Sequence, residues 1–200
     1  MPGEAAIKSR VGREEFLAMD RAATNDKYML WEGEVFVLSG ASLAHERIVS
    51  NLIFELRSAL GEGPCEALPS NIRVRVPGDD SYVHPDAIVV CGEPVLEDTH
   101  ADTLLNPSVV IEVLTDSTET FDRGKKWEGY RKIPSLRAYV LVSQKSSLIE
   151  VFERTDTDAW LFRAYVAGQS LSLSLAYGAL IIEVDRVYAR VFGTRNADAS

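Results

Sequence analysis

Two acids stand in this sequence where acids are costly to place. Glu112 interrupts the apolar run "SVVIEVL", and Asp86 opens "DAIVVCG" directly after Pro85. Both runs are short, continuously apolar and rich in β-branched residues, the pattern of strands buried on two faces. A carboxylate in such a strand must meet a cation, accept hydrogen bonds or face an open strand end. Neighbouring strands lie only ~4.8 Å apart. Carboxylates at the ends of two such strands can share one divalent cation, with water in its other positions, as Mg2+ is commonly held beside phosphates. The alternative is structural: Asp86 caps a loop and Glu112 pairs with a lysine or arginine.

Downstream, Asp122, Lys126 and Tyr130 recur at intervals of four and so share one helical face. That face can present an ammonium to the two acids. It can equally carry an ordinary solvated Asp122–Lys126 pair. The surrounding segment "RGKKWEGYRKIPSLR" holds six Lys or Arg residues against the single Glu128. It is a candidate phosphate-binding stretch, with Arg123, Lys125, Arg131 and Lys132 as its contacts. Trp127 is open to two readings, a base-stacking ring or core packing.

The elements that must position these residues follow from periodicity. "REEFLAMD" is a short helical pattern, and "YMLWEGEVFVLSG" reads as a turn, a strand over Glu34–Leu38, and a stop at Ser39 and Gly40. In "SLAHERIVSNLIFELRSALG", Ile48, Leu52, Leu56 and Leu60 fall every four residues, an amphipathic helix ended by Gly61 and Gly63. "NIRVRV" alternates as a half-exposed strand and "RAYVLV" is another buried one. "DSTETFDRGKKWEGYRKIP" reads as a helix that stops before Pro134. "GEPVLEDTHADTLLNP" reads as a surface connection. "LIEVFER", "WLFRAYV" and the segment around residues 180–184 read as an antiparallel meander, with a short helix near residues 185–192. The order of helix, three strands, helix and strand implies an α/β chain with a mixed sheet and helices on its faces.

The bounds agree with that scale. A chain of 200 residues predicts a single domain over residues 1–200. No run approaches the ~18 apolar residues that span a bilayer, and the N-terminal "MPGEAAIKSR" has no apolar core of the kind a secretory signal needs. A soluble cytoplasmic protein with no membrane partner is the expectation. Cys65 and Cys91 form no CxxC pair. Free thiols in a reducing compartment are expected, with a disulfide as the alternative. A net charge of −9 excludes a broad basic coat for nucleic acid but leaves room for a local groove.

Together these residues resemble the Uma-two family, a branch of the restriction-endonuclease-like PD-(D/E)XK nucleases. The resemblance runs through "YMLWEGEVFVLSGASLAHERI", "GPCEALPSNIRVRV", "YVHPDAIVVCG", "NPSVVIEVLTDSTETFDRGKKWEGYRKIPSLRAYVLV" and "IEVFERTDTDAW". It implies an α-β-β-β-α-β core and metal-dependent cleavage of a nucleic-acid phosphodiester, with Asp86 and Glu112 as ligands of Mg2+ or Mn2+. The superfamily's usual lysine two residues after the acid is absent, because Leu114 stands there. Lys126 is the matching replacement from the following helix. An acid common in the family near Met29 is also missing, with Glu32 and Glu34 nearby. His84 takes a position where an aromatic is common, and its imidazole either approaches the metal or fills that space. His45 matches a recurrent family histidine; beside Ile48 and Val49, a hydrogen-bonded, half-buried role is favoured over metal ligation. Asp122, Tyr130, His45, His84 and Glu34 are thus auxiliary candidates.

The resulting expectation is a Mg2+-dependent endonuclease acting on DNA, in which Asp86, Glu112 and Lys126 are catalytic. A non-catalytic nucleic-acid-binding or regulatory module on the same scaffold is the competing reading, and a structural dimer paired through a sheet edge is a third. A homodimer is expected, since cutting both strands of a duplex needs two sites or two encounters.

Overall fold

The computed structural model describes residues 7–38, 40–78 and 80–192; the features noted above in the first six residues and at Ser39 lie outside them. The chain opens with β1 (Lys8–Ser9) and α1 (Arg13–Ala22), then the hairpin β2 (Lys27–Trp31) and β3 (Glu34–Leu38). The long helix α2 (Leu43–Leu60) leads to β4 (Cys65–Pro69), β5 (Arg73–Val76), β6 (Ser81–Val83), β7 (Ala87–Cys91), β8 (Thr103–Leu104) and β9 (Val109–Val113). A three-part helix follows: α3 (Glu119–Phe121), a π-helical turn (Asp122–Lys126) and α4 (Trp127–Tyr130). The chain continues through β10 (Ala138–Val142), β11 (Leu148–Arg154), β12 (Trp160–Val166), β13 (Ser170–Leu175), β14 (Gly178–Glu183) and α5 (Val184–Val187). No helix among the described residues is long and apolar enough to cross a membrane.

Two six-stranded sheets carry the fold, in the orders β1-β3-β2-β6-β5-β8 and β12-β11-β10-β9-β7-β4. In the second, β7 runs antiparallel to both β4 and β9, while β9 and β10 run parallel. A parallel pair needs a crossover, and the α3–α4 helix supplies it. With α2 ahead of β4, this sheet has the expected α-β-β-β-α-β order, and the chain has the expected mixed α/β class. One strand of that core is corrected. Its first member is β4, not the strand read at residues 71–76, which pairs with β6 and β8 in the other sheet. At a sheet edge a strand tolerates Glu66 and a terminal Pro69, so β4 lacks the apolar run that marks central strands.

Strand alternation then divides the core into two layers. Val109, Ile111 and Val113 of β9 pack with Ile48, Leu52 and Leu56, the four-residue stripe of α2. Val110 and Leu114 point the other way, into a layer shared with Met29, Trp31, Phe36 and Val76 of the first sheet. Glu112 has the parity of this second set.

Other expectations are revised. Residues 27–31 form a strand rather than a turn; the turn is Glu32–Gly33, both at positive φ (50° and 79°), the backbone a two-residue hairpin loop requires. The meander stops at β12, because β14 pairs with β13 in a separate two-stranded sheet. The alternation in "SLSLSL" carried that signal, with Leu171 and Leu173 buried and the serines between them outward. The terminal helix shortens to Val184–Val187. The connection at residues 92–107 contributes β8 to the first sheet. Cys65 and Cys91 are not free thiols: the antiparallel register of β4 and β7 sets them directly opposite, and they form a disulfide.

Where the crossover helix meets the first sheet, packing is tight. A Cβ added at Gly129 would lie 2.6 Å from Trp31 Cη2 and 2.8 Å from Val76 Cγ1, both on buried side chains. Overpacking of this kind costs about 1 to 3 kcal/mol. Gly129→Ala should lower the unfolding free energy by that amount, read as a lower urea midpoint at unchanged m, despite alanine's better helix propensity. An unchanged or raised midpoint would show that the two sheets are less rigidly spaced than described.

Candidate active site

Asp86 precedes β7 by one residue, and β9 extends past it. Val113 therefore has no β7 residue opposite its N–H, which instead donates to Asp86 Oδ2 at 2.7 Å. The other oxygen, Oδ1, lies 3.2 Å from His45 Nε2. His45 reaches it from the first turn of α2, whose start is fixed by Ser42 Oγ accepting from the His45 N–H. One carboxylate thus ties the ends of β7, β9 and α2 together.

Glu112 is buried within β9, and its partners come from the crossover helix. The Tyr130 hydroxyl donates to Glu112 Oε1 at 2.7 Å, and Lys126 Nζ pairs with the same oxygen at 3.0 Å. Lys126 Nζ also pairs with Asp122 Oδ1 at 2.8 Å. Asp122 and Lys126 begin and end the π-helical turn, while Tyr130 lies one turn on in α4. In the wider π turn, residues four apart align more closely than in an α-helix, so the ammonium reaches both acids. Tyr139 of β10 donates its hydroxyl to the Asp122 backbone carbonyl at 3.0 Å and anchors the turn from the sheet.

Burial pushes the Glu112 carboxyl up to about 8; Lys126 opposes that rise, and Asp122 and Asp86 add to it. The Lys126 ammonium is desolvated, but Asp122 and Glu112 overcome this and raise its pKa. It is a permanent cation through the neutral range. Burial, then the Glu112 charge, holds the Tyr130 hydroxyl well above its ordinary value, so it stays a donor.

A cleft of about 630 Å³ opens over this group. Asp86, Glu112, Asp122 and Lys126 line it together with His45 and His84. The His84 Nε2 lies 3.5 Å from Asp20 Oδ2, on the side of a buried network in which Arg73 meets Asp20 and Asp102. Met29 lines the cleft; Glu34 does not, and Glu32 turns outward to Lys125 at 2.9 Å. Apart from Lys126, the basic residues of the stretch lie outside the cleft. Arg123 is held by Glu119 and Glu150, whereas Arg131 and Lys132 are exposed without a carboxylate partner among the described residues. Trp127 stacks on Phe152 at 4.5 Å and meets Trp160 edge-on at 4.7 Å, which makes it a packing residue. Sequence reading missed Tyr139, the π turn, and Gln144, which accepts from Ser42 Oγ and donates to the Leu114 carbonyl. A tyrosine in an apolar strand and a glutamine after one carry no local signal.

This is a mixed α/β fold of the restriction-endonuclease-like kind, with strand-end acids beneath a helix-borne lysine. The chain belongs to the Uma2 family, whose model, described as "Putative restriction endonuclease", matches residues 13–185. Two uncharacterized proteins of Synechocystis sp. are similar to it. One is 33% identical over 147 residues, covering 74% of this chain and 82% of that protein. The other is 30% identical over 179 residues, covering 90% and 92%. A crystal structure from Anabaena variabilis, described as a "putative nuclease belonging to DUF820", matches with a TM-score of 0.73 over 91% of this chain and 99% of that one. At 14% identity, that likeness is one of fold.

The raised Glu112 carboxyl has a measurable consequence. An unfolded glutamate titrates near 4.5, so between about pH 4.5 and 8 the folded chain keeps a proton that the unfolded chain has released. Stability should therefore fall as pH rises through that window when divalent cations are absent, by on the order of a few kcal/mol. Glu112→Gln should flatten the slope in urea unfolding at pH 5 to 8 in EDTA. Parallel slopes for the two proteins would place the Glu112 titration outside the window.

Proposed function

We propose that this chain is a Mg2+- or Mn2+-dependent endonuclease that hydrolyses DNA phosphodiester bonds, with Asp86 and Glu112 holding the cation and Lys126 assisting. One observation carries the reading: the carboxyl groups of Asp86, Glu112 and Asp122 line one open cleft, and Glu112 and Asp122 share the Lys126 ammonium there. Once Glu112 ionises, the group has more negative than positive charge even with His45 charged, and a divalent cation bound there would favour that ionised form. The donors fit a hard ion, being carboxylate oxygens. Both Glu112 partners act on Oε1, leaving Oε2 without a donor among the described residues. No group of three His, Cys, Asp or Glu residues among those described is placed to hold a metal ion, so a cation would rest on Asp86 and Glu112 with waters in its other positions.

A cation held there would supply a water of lowered pKa and polarise the phosphate. The chain's own groups do the rest. Lys126 remains an ammonium and so cannot take a proton from water; its part is to orient the attacking water or offset charge developing on the phosphate. Tyr130 fixes the Glu112 carboxylate by donating to one oxygen, and His45 and the Val113 N–H fix Asp86. Exposed Arg131 and Lys132 supply outlying phosphate contacts. A homodimer fits cleavage of both strands, with the open β12 edge, where Leu161, Phe162 and Val166 are exposed, as its pairing surface.

Calorimetric titration of Mn2+ should give heat with the parent and little with Asp86→Asn or Glu112→Gln. Equal heats would refute the metal site. Lys126→Ala should lower Mn2+-dependent plasmid cleavage by about 10² to 10³. Lys125→Ala, which loses only the Glu32 contact, should cleave like the parent. Equal activity of the two variants would remove Lys126 from the mechanism, and an inactive parent with every divalent metal would favour the non-catalytic binding module.

A further inference from the structure

Three lysines line the cleft, and their partners differ. Lys126 is shared between Glu112 and Asp122. Lys145 is neutralised by Asp116 at 2.7 Å and Glu119 at 3.2 Å. Lys27, the first residue of β2, has no carboxylate partner among the described residues. Its ammonium meets only the Ser70 carbonyl at 3.3 Å and the Ser70 hydroxyl at 3.4 Å, both at the long end of hydrogen bonding. It is half-buried, so part of its hydration is already lost and two distant neutral acceptors replace it poorly. An anion would complete the site.

The place of this lysine in the fold says which anion. Lys27 belongs to the first sheet, and Ser70 follows directly on β4 of the second, whereas Asp86 and Glu112 stand on β7 and β9. All line one continuous cleft. We propose that Lys27 and the Ser70 hydroxyl form a second phosphate seat, taking a backbone phosphate of the substrate other than the one cleaved. This rests on the nuclease reading and adds that the productive substrate is a polynucleotide laid across both sheets. A substrate with one phosphate fills only the inner site. Discrimination between oligonucleotide and single phosphodiester therefore resides at Lys27.

The test compares parent, Lys27→Ala, Lys27→Arg and, as a control outside the cleft, Lys8→Ala, after matched thermal melts. Binding of a fluorescein-labelled 20-nucleotide DNA strand is followed by anisotropy in Ca2+ at several salt concentrations. Lys27→Ala should weaken binding about tenfold and lower the slope of log K against log salt by about one unit, the loss of one phosphate contact. Lys27→Arg should keep most of both, and Lys8→Ala should match the parent. In Mn2+, Lys27→Ala should raise KM for the oligonucleotide with little change in kcat. Hydrolysis of bis(4-nitrophenyl) phosphate, which has one phosphate, should be unaffected. Unchanged affinity and slope in Lys27→Ala, with a parent that binds and cleaves, would overturn the seat while leaving the nuclease reading intact. Equal losses on both substrates would also overturn it, by placing Lys27 at the inner site. A parent that neither binds the strand nor hydrolyses either substrate would overturn both.

Discussion

The candidate site depends on keeping one glutamate inside a strand whose every neighbour is apolar. Glu112 cannot be hydrated there, and β9 offers it no polar partner of its own. Whatever compensates it must come from another element at fixed distance. The crossover helix that any parallel β9–β10 pair needs is also the element that delivers Lys126 and Tyr130. Topology and charge compensation are thus met by one segment. Because Lys126 is divided between two acids, compensation is incomplete, and that shortfall is the ground on which a cation is proposed here.

The two sheets act on this centre from different sides. The second holds the acids, through the ends of β7 and β9, and α2 braces Asp86 from beyond its edge. The first sheet walls the cleft and presses on the crossover helix where Gly129 meets Trp31 and Val76. The aromatic stack of Trp127, Phe152 and Trp160 holds the other side of that helix. The lysine is therefore carried by a helix gripped on two sides.

Much of the centre was legible in the sequence because buried charge is conspicuous against a β-branched run, and because residues four apart announce a shared helical face. Asp86, Glu112, Asp122, Lys126 and Tyr130 all lie in such local patterns, and the structure brings them together. What was illegible is what pairing decides. β4 leaves no signal because an edge strand needs no apolar run, and the strand at residues 71–76 counts among the three of the core although it belongs to the other sheet. The positive charge from Arg123 to Arg137 looked like a groove in one dimension, yet Arg123 is spent on Glu119 and Glu150, while the unclaimed lysine in the cleft is the distant Lys27. The disulfide depends on a register that no spacing of two cysteines reveals.

The π turn from Asp122 to Lys126 sets a limit on how this protein can change. A π turn holds one more residue per cycle than the α-helix on either side, so the segment works as a ruler: its two ends, Asp122 and Lys126, pair with each other, and Lys126 and the following Tyr130 touch Glu112. Conservative exchange of a solvent-facing residue there leaves the ruler intact. Loss of a single residue would close the π turn to an α turn and remove the Asp122–Lys126 spacing of four, and gain of one would turn every later position by about 100° and swing Tyr130 off the acid it steadies. Elsewhere the chain has loops in which length can drift; between residues 119 and 130, variation must proceed by substitution, and insertions or deletions should be the rarest events among proteins that keep this site.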